Sequence, residues 1–227
     1  MKILVLADNH NDLENMFEFL DKLKNYEFDV IVYAGDFTDF GLPKGFSQED
    51  IAKLLIEELL TLKKPIVAIP GNNDDLNVIK LIEREGISIH GKGKIINEVG
   101  FYGFGGAKTP FNTNYEPSDE ELKRGLERGF IEVMNAKIKI QVTHNPPLNT
   151  KLDQTLTGMH VGSQIIRNFI EKYQPSVAVS AHIHEARGID YLGKTLLVNP
   201  GRFAEGHFAL VSIKENLTEA SLYNLIE

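Results

Sequence analysis

The chain has 227 residues, 42% of them hydrophobic, with 24 Lys and Arg against 32 Asp and Glu for a formal net charge of −8. That length fits one α/β domain spanning residues 1–227; such a chain buries roughly 70% of its unfolded surface, so its core needs neither disulfide nor partner subunit, although a homo-oligomer is compatible with it. The absence of cysteine excludes thiolate zinc sites, iron–sulfur clusters and cysteine nucleophiles, and the acidic balance speaks against a basic face for a polynucleotide or an anionic membrane.

In chain order, the first apolar run, residues 3–7, is shorter than a signal-peptide core and ends at Asp8. No stretch reaches the ~18 apolar residues of a membrane span, so a soluble, cytoplasmic protein is expected. The run itself reads as a buried strand. A helical period over 13–23 follows, then a strand at 30–34, an irregular Pro- and Gly-containing loop at 37–48, a helix at 51–62, a strand at 66–69 and a helix at 76–85. Two strands at 94–99 and 101–104 lead into a second irregular loop, 109–118, and a helix at 120–134. A strand at 138–143, a helix at 163–173 and a strand at 177–181 continue the alternation, and strands at 195–198, 208–213 and 220–225 close the chain. Unbroken β-branched strands alternating with amphipathic helices are the signature of βαβ units around a mostly parallel sheet, and the strands linked by short turns predict a second sheet.

Ligands of open α/β sheets bind beyond the carboxyl ends of the strands. Five of the predicted strands run there into a potential metal ligand: Asp8-Asn9-His10, Gly35-Asp36, Gly71-Asn72-Asn73-Asp74, His144 and His182-Ile183-His184. Asp and Asn are common turn and cap residues, so one such ending carries little weight. Five convergent endings offer several oxygen donors and four imidazoles, more than one tetrahedral ion takes and suited to two ions sharing a carboxylate. In Asp8-x-His10 and His182-x-His184, residues two apart project to the same side of an extended chain and can face one cavity.

These blocks resemble, in order, the motifs of the calcineurin-like metallophosphoesterases: D-x-H, G-D, G-N-(H)-(D/E), a lone H and G-H-x-H. The resemblance runs from Asp8 through Asn199-Pro200-Gly201. The stretches 144–147, 158–163 and 181–185 look like a prokaryotic branch related to cyclic-nucleotide phosphodiesterases. The resemblance implies an α/β four-layer α/β/β/α sandwich with two mixed sheets. It implies one metal held by Asp8, His10, Asp36 and His184 and another by Asp36, Asn72, His144 and His182, with Asp36 as the bridge. The cofactors implied are two divalent ions, manganese foremost, with iron, nickel, zinc and magnesium also suited to N/O ligands. The reaction implied is hydrolysis of a phosphomonoester or phosphodiester, a small phosphorylated substrate, by a metal-bridging hydroxide; the ions outweigh the two carboxylates and make the pocket positive in an acidic protein.

Two positions depart from the family pattern. Asn73 stands where the family often has the histidine that contacts phosphate and protonates the leaving oxygen; an amide can bind a phosphate oxygen but delivers no proton at neutral pH. Asp74 is the neighbour expected to orient a ring at position 73, and Ala181 replaces the glycine before His182. His160, in the Gly-rich loop 158–162 before a predicted helix, is a substitute candidate for the acid, and Arg202 and Arg187 are candidates for the substrate phosphate, with ordinary solvated roles as the alternative. His90 and His207 read as ordinary surface or half-buried histidines. Phe37, Phe40, Phe46, Phe111 and Tyr115 either form an aromatic wall or anchor their loops. The segment 103–106 lacks the third glycine and acidic partner of a dinucleotide finger, and there is no phosphate loop or serine elbow. The rival class is a non-catalytic metal-binding scaffold of the same fold; a nuclease reading lacks its basic track.

Overall fold

The computed structural model describes residues 1–214 and 217–226. The strands are β1 (Lys2–Leu6), β2 (Val30–Tyr33), β3 (Ile66–Ala68), β4 (Lys92–Ile96), β5 (Val99–Phe104), β6 (Ile138–Thr143), β7 (Val177–Val179), β8 (Gly188–Leu192), β9 (Thr195–Asn199), β10 (His207–Lys214) and β11 (Leu217–Asn224). The helices are α1 (Met16–Leu23), α2 (Gln48–Thr61), α3 (Leu76–Arg84), α4 (Asp119–Glu132) and α5 (Gln164–Tyr173), and among the described residues no helix is long and apolar enough to cross a membrane. Helix starts follow their caps. Ser47 with Asp50 and Ser118 with Glu121 form capping boxes, and the Asp75 carboxylate accepts the amides of Asn77 and Val78. Each such cap contributes about 1 kcal/mol.

One sheet has the order β11-β10-β1-β2-β3, with β1, β2 and β3 parallel; the other has the order β4-β5-β6-β7-β9-β8, with β5, β6, β7 and β9 parallel and antiparallel edges. The turn-linked strands therefore do not make a sheet of their own. β10 and β11 extend the first sheet and the others join the second, because apolar patterning reports burial and not the partner. β8, with the mixed segment Gly188–Leu192, gave no apolar run and pairs only with β9.

Alternation along the strands builds the layers. Leu4, Leu6, Ile31 and Tyr33 face α1, α2 and α3, burying Leu20, Leu55, Ile56 and Leu81. Ile3, Val5, Val30 and Val32 point the other way, against Phe101, Ile140, Val142 and Val179 of the second sheet. Tyr102, Phe104 and Ala178 then meet Leu122, Leu126, Ile166 and Phe169 of α4 and α5. Three apolar clusters between four layers make the α/β/β/α sandwich, and the site lies where the carboxyl ends of both sets of parallel strands meet.

Two local features shape the helical layers. α1 begins at Met16, later than the predicted start, because Asn11 is left-handed and the Asp12 carboxylate accepts both the backbone and side-chain amides of Asn15. α4 lies close on its sheet through glycine: a Cβ at Gly125 would stand 1.9 Å from a ring carbon of Phe104. Gly125→Ala should destabilise by about 1–2 kcal/mol in urea unfolding, because the clash outweighs the roughly 1 kcal/mol of helix propensity gained. A stabilised variant would show that the ring moves freely.

Candidate metal centre

The chain turns sharply where the five strands end. Asp8, His10, Asp36 and His182 all have left-handed backbones, with φ of 59°, 48°, 52° and 69°. For non-glycine residues this region costs on the order of 1 kcal/mol or more each, and such strain gathers where side-chain aim matters more than comfort. Backbone hydrogen bonds hold the turns: the Asp8 amide donates to the Gly35 carbonyl at 3.0 Å and the Asn9 amide to that of Asp36 at 2.9 Å. Gly71 must be glycine because a Cβ there would lie 1.9 Å from Asp36 Oδ1 and 2.3 Å from its amide nitrogen. At Ala181 the extra methyl is buried in the intersheet core, and the positive φ falls on His182 instead, so the departure from glycine is accommodated.

The seven residues Asp8, His10, Asp36, Asn72, His144, His182 and His184 are brought together. His10 Nε2 lies 3.8 Å from Asp8 Oδ1, 3.6 Å from Asp36 Oδ2 and 3.1 Å from His184 Nε2. His144 Nε2 lies 3.3 Å from Asp36 Oδ2 and 3.1 Å from Asn72 Oδ1, and the His182 ring sits 5.2 Å from that of His144. Two overlapping trios, Asp8-His10-His184 and Asp8-Asp36-His144, each place three ligand atoms within 4.8 Å of one another. Asp8 is fully buried, yet neither carboxylate oxygen has a hydrogen-bond partner. An unpaired buried carboxylate is costly, and this donor set fits cations as the missing partners.

Titration follows the crowding. Burial works against a charged His144, but Asp36 beside it wins and pushes the imidazole up to about 9. Asp36 is held far below the carboxylate range by His144 and His10, against its own burial. His10 is burial-opposed yet raised by its bond to Asp39 and by Asp36 and Asp8, whereas burial and the neighbouring His144 push His182 down to about 4.

Several supporting residues escaped sequence reading. Asp39 Oδ2 lies 3.1 Å from His10 Nδ1, and the Ala34 carbonyl lies 2.8 Å from His144 Nδ1, so in both rings Nε2 faces the centre. Asp74, fully buried, accepts hydrogen bonds from the amides of Gly71, Phe37 and Thr38 and from the Thr38 hydroxyl at 2.8 to 3.3 Å. It ties the loops after β2 and β3 together, and both its oxygens are committed, so it is not turned toward a ring at position 73. Burial and then Asp36 push it up to about 6. Asn199 Nδ2 donates to the Ile183 carbonyl at 2.9 Å and fixes the 182–184 turn. Asp74 and Asn199 lie in segments that carry the family resemblance, though their roles here were not read from it, whereas Asp39 and the Ala34 carbonyl carry no motif.

A cavity of about 480 Å³ opens over this cluster, lined by His10, Asp36, Asn72, His182 and His184 among others. Asn73 also lines it, with its backbone and side-chain amides donating to Asp36 at 2.9 and 2.8 Å. His160 and Arg202 do not: His160 Nδ1 pairs with buried Asp153 at 2.7 Å, and the Arg202 guanidinium lies 3.5 Å from Glu205. Arg187 donates to the carbonyls of Pro200 and Tyr223. Of the five loop aromatics, Phe111 lines the cavity; Phe37 stacks on Tyr33 in the core, Phe40 and Phe46 are exposed elsewhere, and Tyr115 OH lies 3.2 Å from His90 Nε2.

A sequence model of the calcineurin-like phosphoesterases matches residues 1–186. The chain belongs to the calcineurin-like phosphoesterase family. An uncharacterized protein of Methanocaldococcus jannaschii is 37% identical over 207 residues, covering 88% of each chain. The crystal structure of a Thermus thermophilus protein superposes with a TM-score of 0.71 at 19% identity over 97% of both chains. That of a dimetal phosphatase from Danio rerio gives 0.63 at 11% identity over 99% of this chain and 96% of that one. These structural likenesses establish the shared fold.

One residue that braces the loop beside the cavity is pH-sensitive by construction. His90 Nδ1 accepts the Gly105 amide at 3.0 Å, so the neutral ring carries its proton on Nε2, toward Tyr115. Burial, then the Arg128 cation, push this imidazole down from 6.5 to about 4. Its folded value lies below its unfolded one, so its contribution is complete above pH 6.5 and is lost as pH falls toward 4. The loss amounts to roughly 3 kcal/mol at 1.36 kcal/mol per unit. His90→Gln should be less stable than wild type at pH 7 and flatter between pH 6.5 and 4 in urea titrations; parallel curves would refute the assignment.

Proposed function

We propose that the protein is a dinuclear metal-dependent hydrolase of phosphomonoesters or phosphodiesters, acting through one domain formed by the whole chain. The observation that carries this reading is the position of Asp36 Oδ2, 3.6 Å from His10 Nε2 and 3.3 Å from His144 Nε2, beside the partnerless carboxylate of Asp8. Asp8, His10, Asp36 and His184 would hold one ion and Asp36, Asn72, His144 and His182 the other. The N/O donor set suits manganese among several divalent ions. When bound, such ions supply a water of lowered pKa and neutralise charge on the phosphoryl oxygens. A scaffold that had abandoned chemistry would be expected to lose ligands, and all seven positions are filled.

The chain's own residues limit which esters react. The ester P–O bond breaks with its electron pair on the leaving oxygen, which then needs a proton or must be stable as an anion. Among the cavity-lining side chains, the histidines would be taken up as metal ligands, the Lys108 ammonium is paired with Asp119 at 2.7 Å, and Asn73 is an amide bonded to Asp36. No general acid is in place among them, and such an acid contributes typically 10²- to 10⁴-fold. Asn73→His alone would find Asp74 occupied by backbone amides and, as its other carboxylate neighbour, the proposed metal bridge Asp36.

Manganese-reconstituted protein should therefore hydrolyse esters with a rate that falls steeply as leaving-group pKa rises, with weak turnover of cyclic nucleotides. Asp36→Asn should lower kcat/KM by about 10²-fold or more, since one residue serves both sites. An inactive panel would favour the scaffold, and a flat leaving-group dependence that disappears in His160→Ala would make His160 the acid.

A further inference from the structure

The cavity lining is mixed in character. Beside the histidines and Asp36 it includes Phe111 and Pro110 from the loop after β5 and Met159 and Val161 from the loop after β6. Phe111 is 80% exposed and Met159 62% exposed; single exposed apolar side chains are common on protein surfaces, but these two share one cavity lining with Pro110 and Val161.

Neither loop is loosely attached. The Glu116 carboxylate accepts hydrogen bonds from the Thr109 hydroxyl and from the amide and hydroxyl of Thr113, each at 2.7 Å, and the Phe111 amide donates to Thr109 Oγ1 at 3.1 Å. Asn114 Nδ2 donates to the Asn73 carbonyl and the Tyr115 amide to that of Asn72, so the loop is fastened to the metal-facing turn itself. In the second loop, Asp153 accepts from the Gly162 amide and pairs with His160, the Thr155 amide donates to the Met159 carbonyl, and the Leu156 amide donates to Glu185, next to His184. Two braced loops thus each present apolar side chains to the one cavity whose lining also includes the proposed metal ligands.

We propose that the organic group carried by the substrate phosphate is a planar aromatic, gripped between Phe111 and Met159. This rests on the reading that the proposed metal centre takes a phosphoryl group. A volume of about 480 Å³ is of the size of small-molecule sites. A ring face stacks on Phe111, and the Met159 thioether adapts to a ring edge. The clamp also gives His160 a place: it braces the turn that presents Met159.

Calorimetric titration of the metal-loaded protein with phenylphosphonate and methylphosphonate tests this, because neither ligand has a bond to hydrolyse. Phenylphosphonate should bind about 10-fold more tightly, and Phe111→Ala and Met159→Ala should each weaken it by about 3- to 10-fold while leaving methylphosphonate unchanged. Both side chains are exposed, so the variants should fold. Equal affinities, or a Phe111→Ala variant that keeps the phenyl preference, would overturn the clamp and leave these side chains as a surface for another macromolecule. A retained phenyl preference without turnover of any ester would sink the hydrolase reading and leave the clamp standing. Turnover with equal phosphonate affinities would do the reverse, and binding of neither phosphonate would remove both.

Discussion

Two carboxylates, Asp8 and Asp36, are buried where the carboxyl edges of both sheets converge, and much of the surrounding structure answers the difficulty of keeping them there. Asp36 is met by both amide groups of Asn73, by His144 and by a backbone that must be glycine at 71 to leave it room. The Asp8 carboxylate has no hydrogen-bond partner among the described residues, with the imidazoles of His10 and His184 each 3.8 Å away and Asp36 and His144 also close by. Without cations the folded core must offset the cost of this arrangement; with the proposed cations bound, the strained left-handed turns would serve as a preformed coordination shell.

The sequence was most readable where burial and chemistry coincide. The strands ending in Asp8, Asp36, Asn72 and His182 are nearly continuous apolar runs, because both faces of each are covered, and their termini stand out against that background; β6, before His144, interleaves Lys139 and Gln141 with its apolar residues. What it hid is relational. Strand pairing depends on partners far apart in sequence, as when β10 settles antiparallel to β1, and β8 has no patterned face to announce it. Asp74 looked like a ring-orienting neighbour because it adjoins Asn73, but its carboxylate turns inward to backbone amides that no sequence pattern displays. His160 and Arg202 were plausible by loop context, yet each points toward an acidic neighbour outside the cavity lining.

The loops over the site are extensions of it. Tyr115 joins Asn72 through its amide and His90 through its hydroxyl, His90 lies 4.1 Å from the Phe104 ring, and that ring leaves no space for a side chain at Gly125 of α4. A continuous set of packed groups thus runs from an outer helix to the lip of the cavity. A core change beneath Phe104 should therefore be felt in the loop that carries Phe111 as well as in unfolding.

The central claim is that one buried cluster holds two cations through a shared carboxylate. Elemental analysis of protein loaded with excess manganese and freed of unbound ion measures this most directly. About two equivalents per chain are predicted for the wild type, as in other sites of this kind. A reproducible value of one or fewer, with the protein folded, would contradict the shared-carboxylate account.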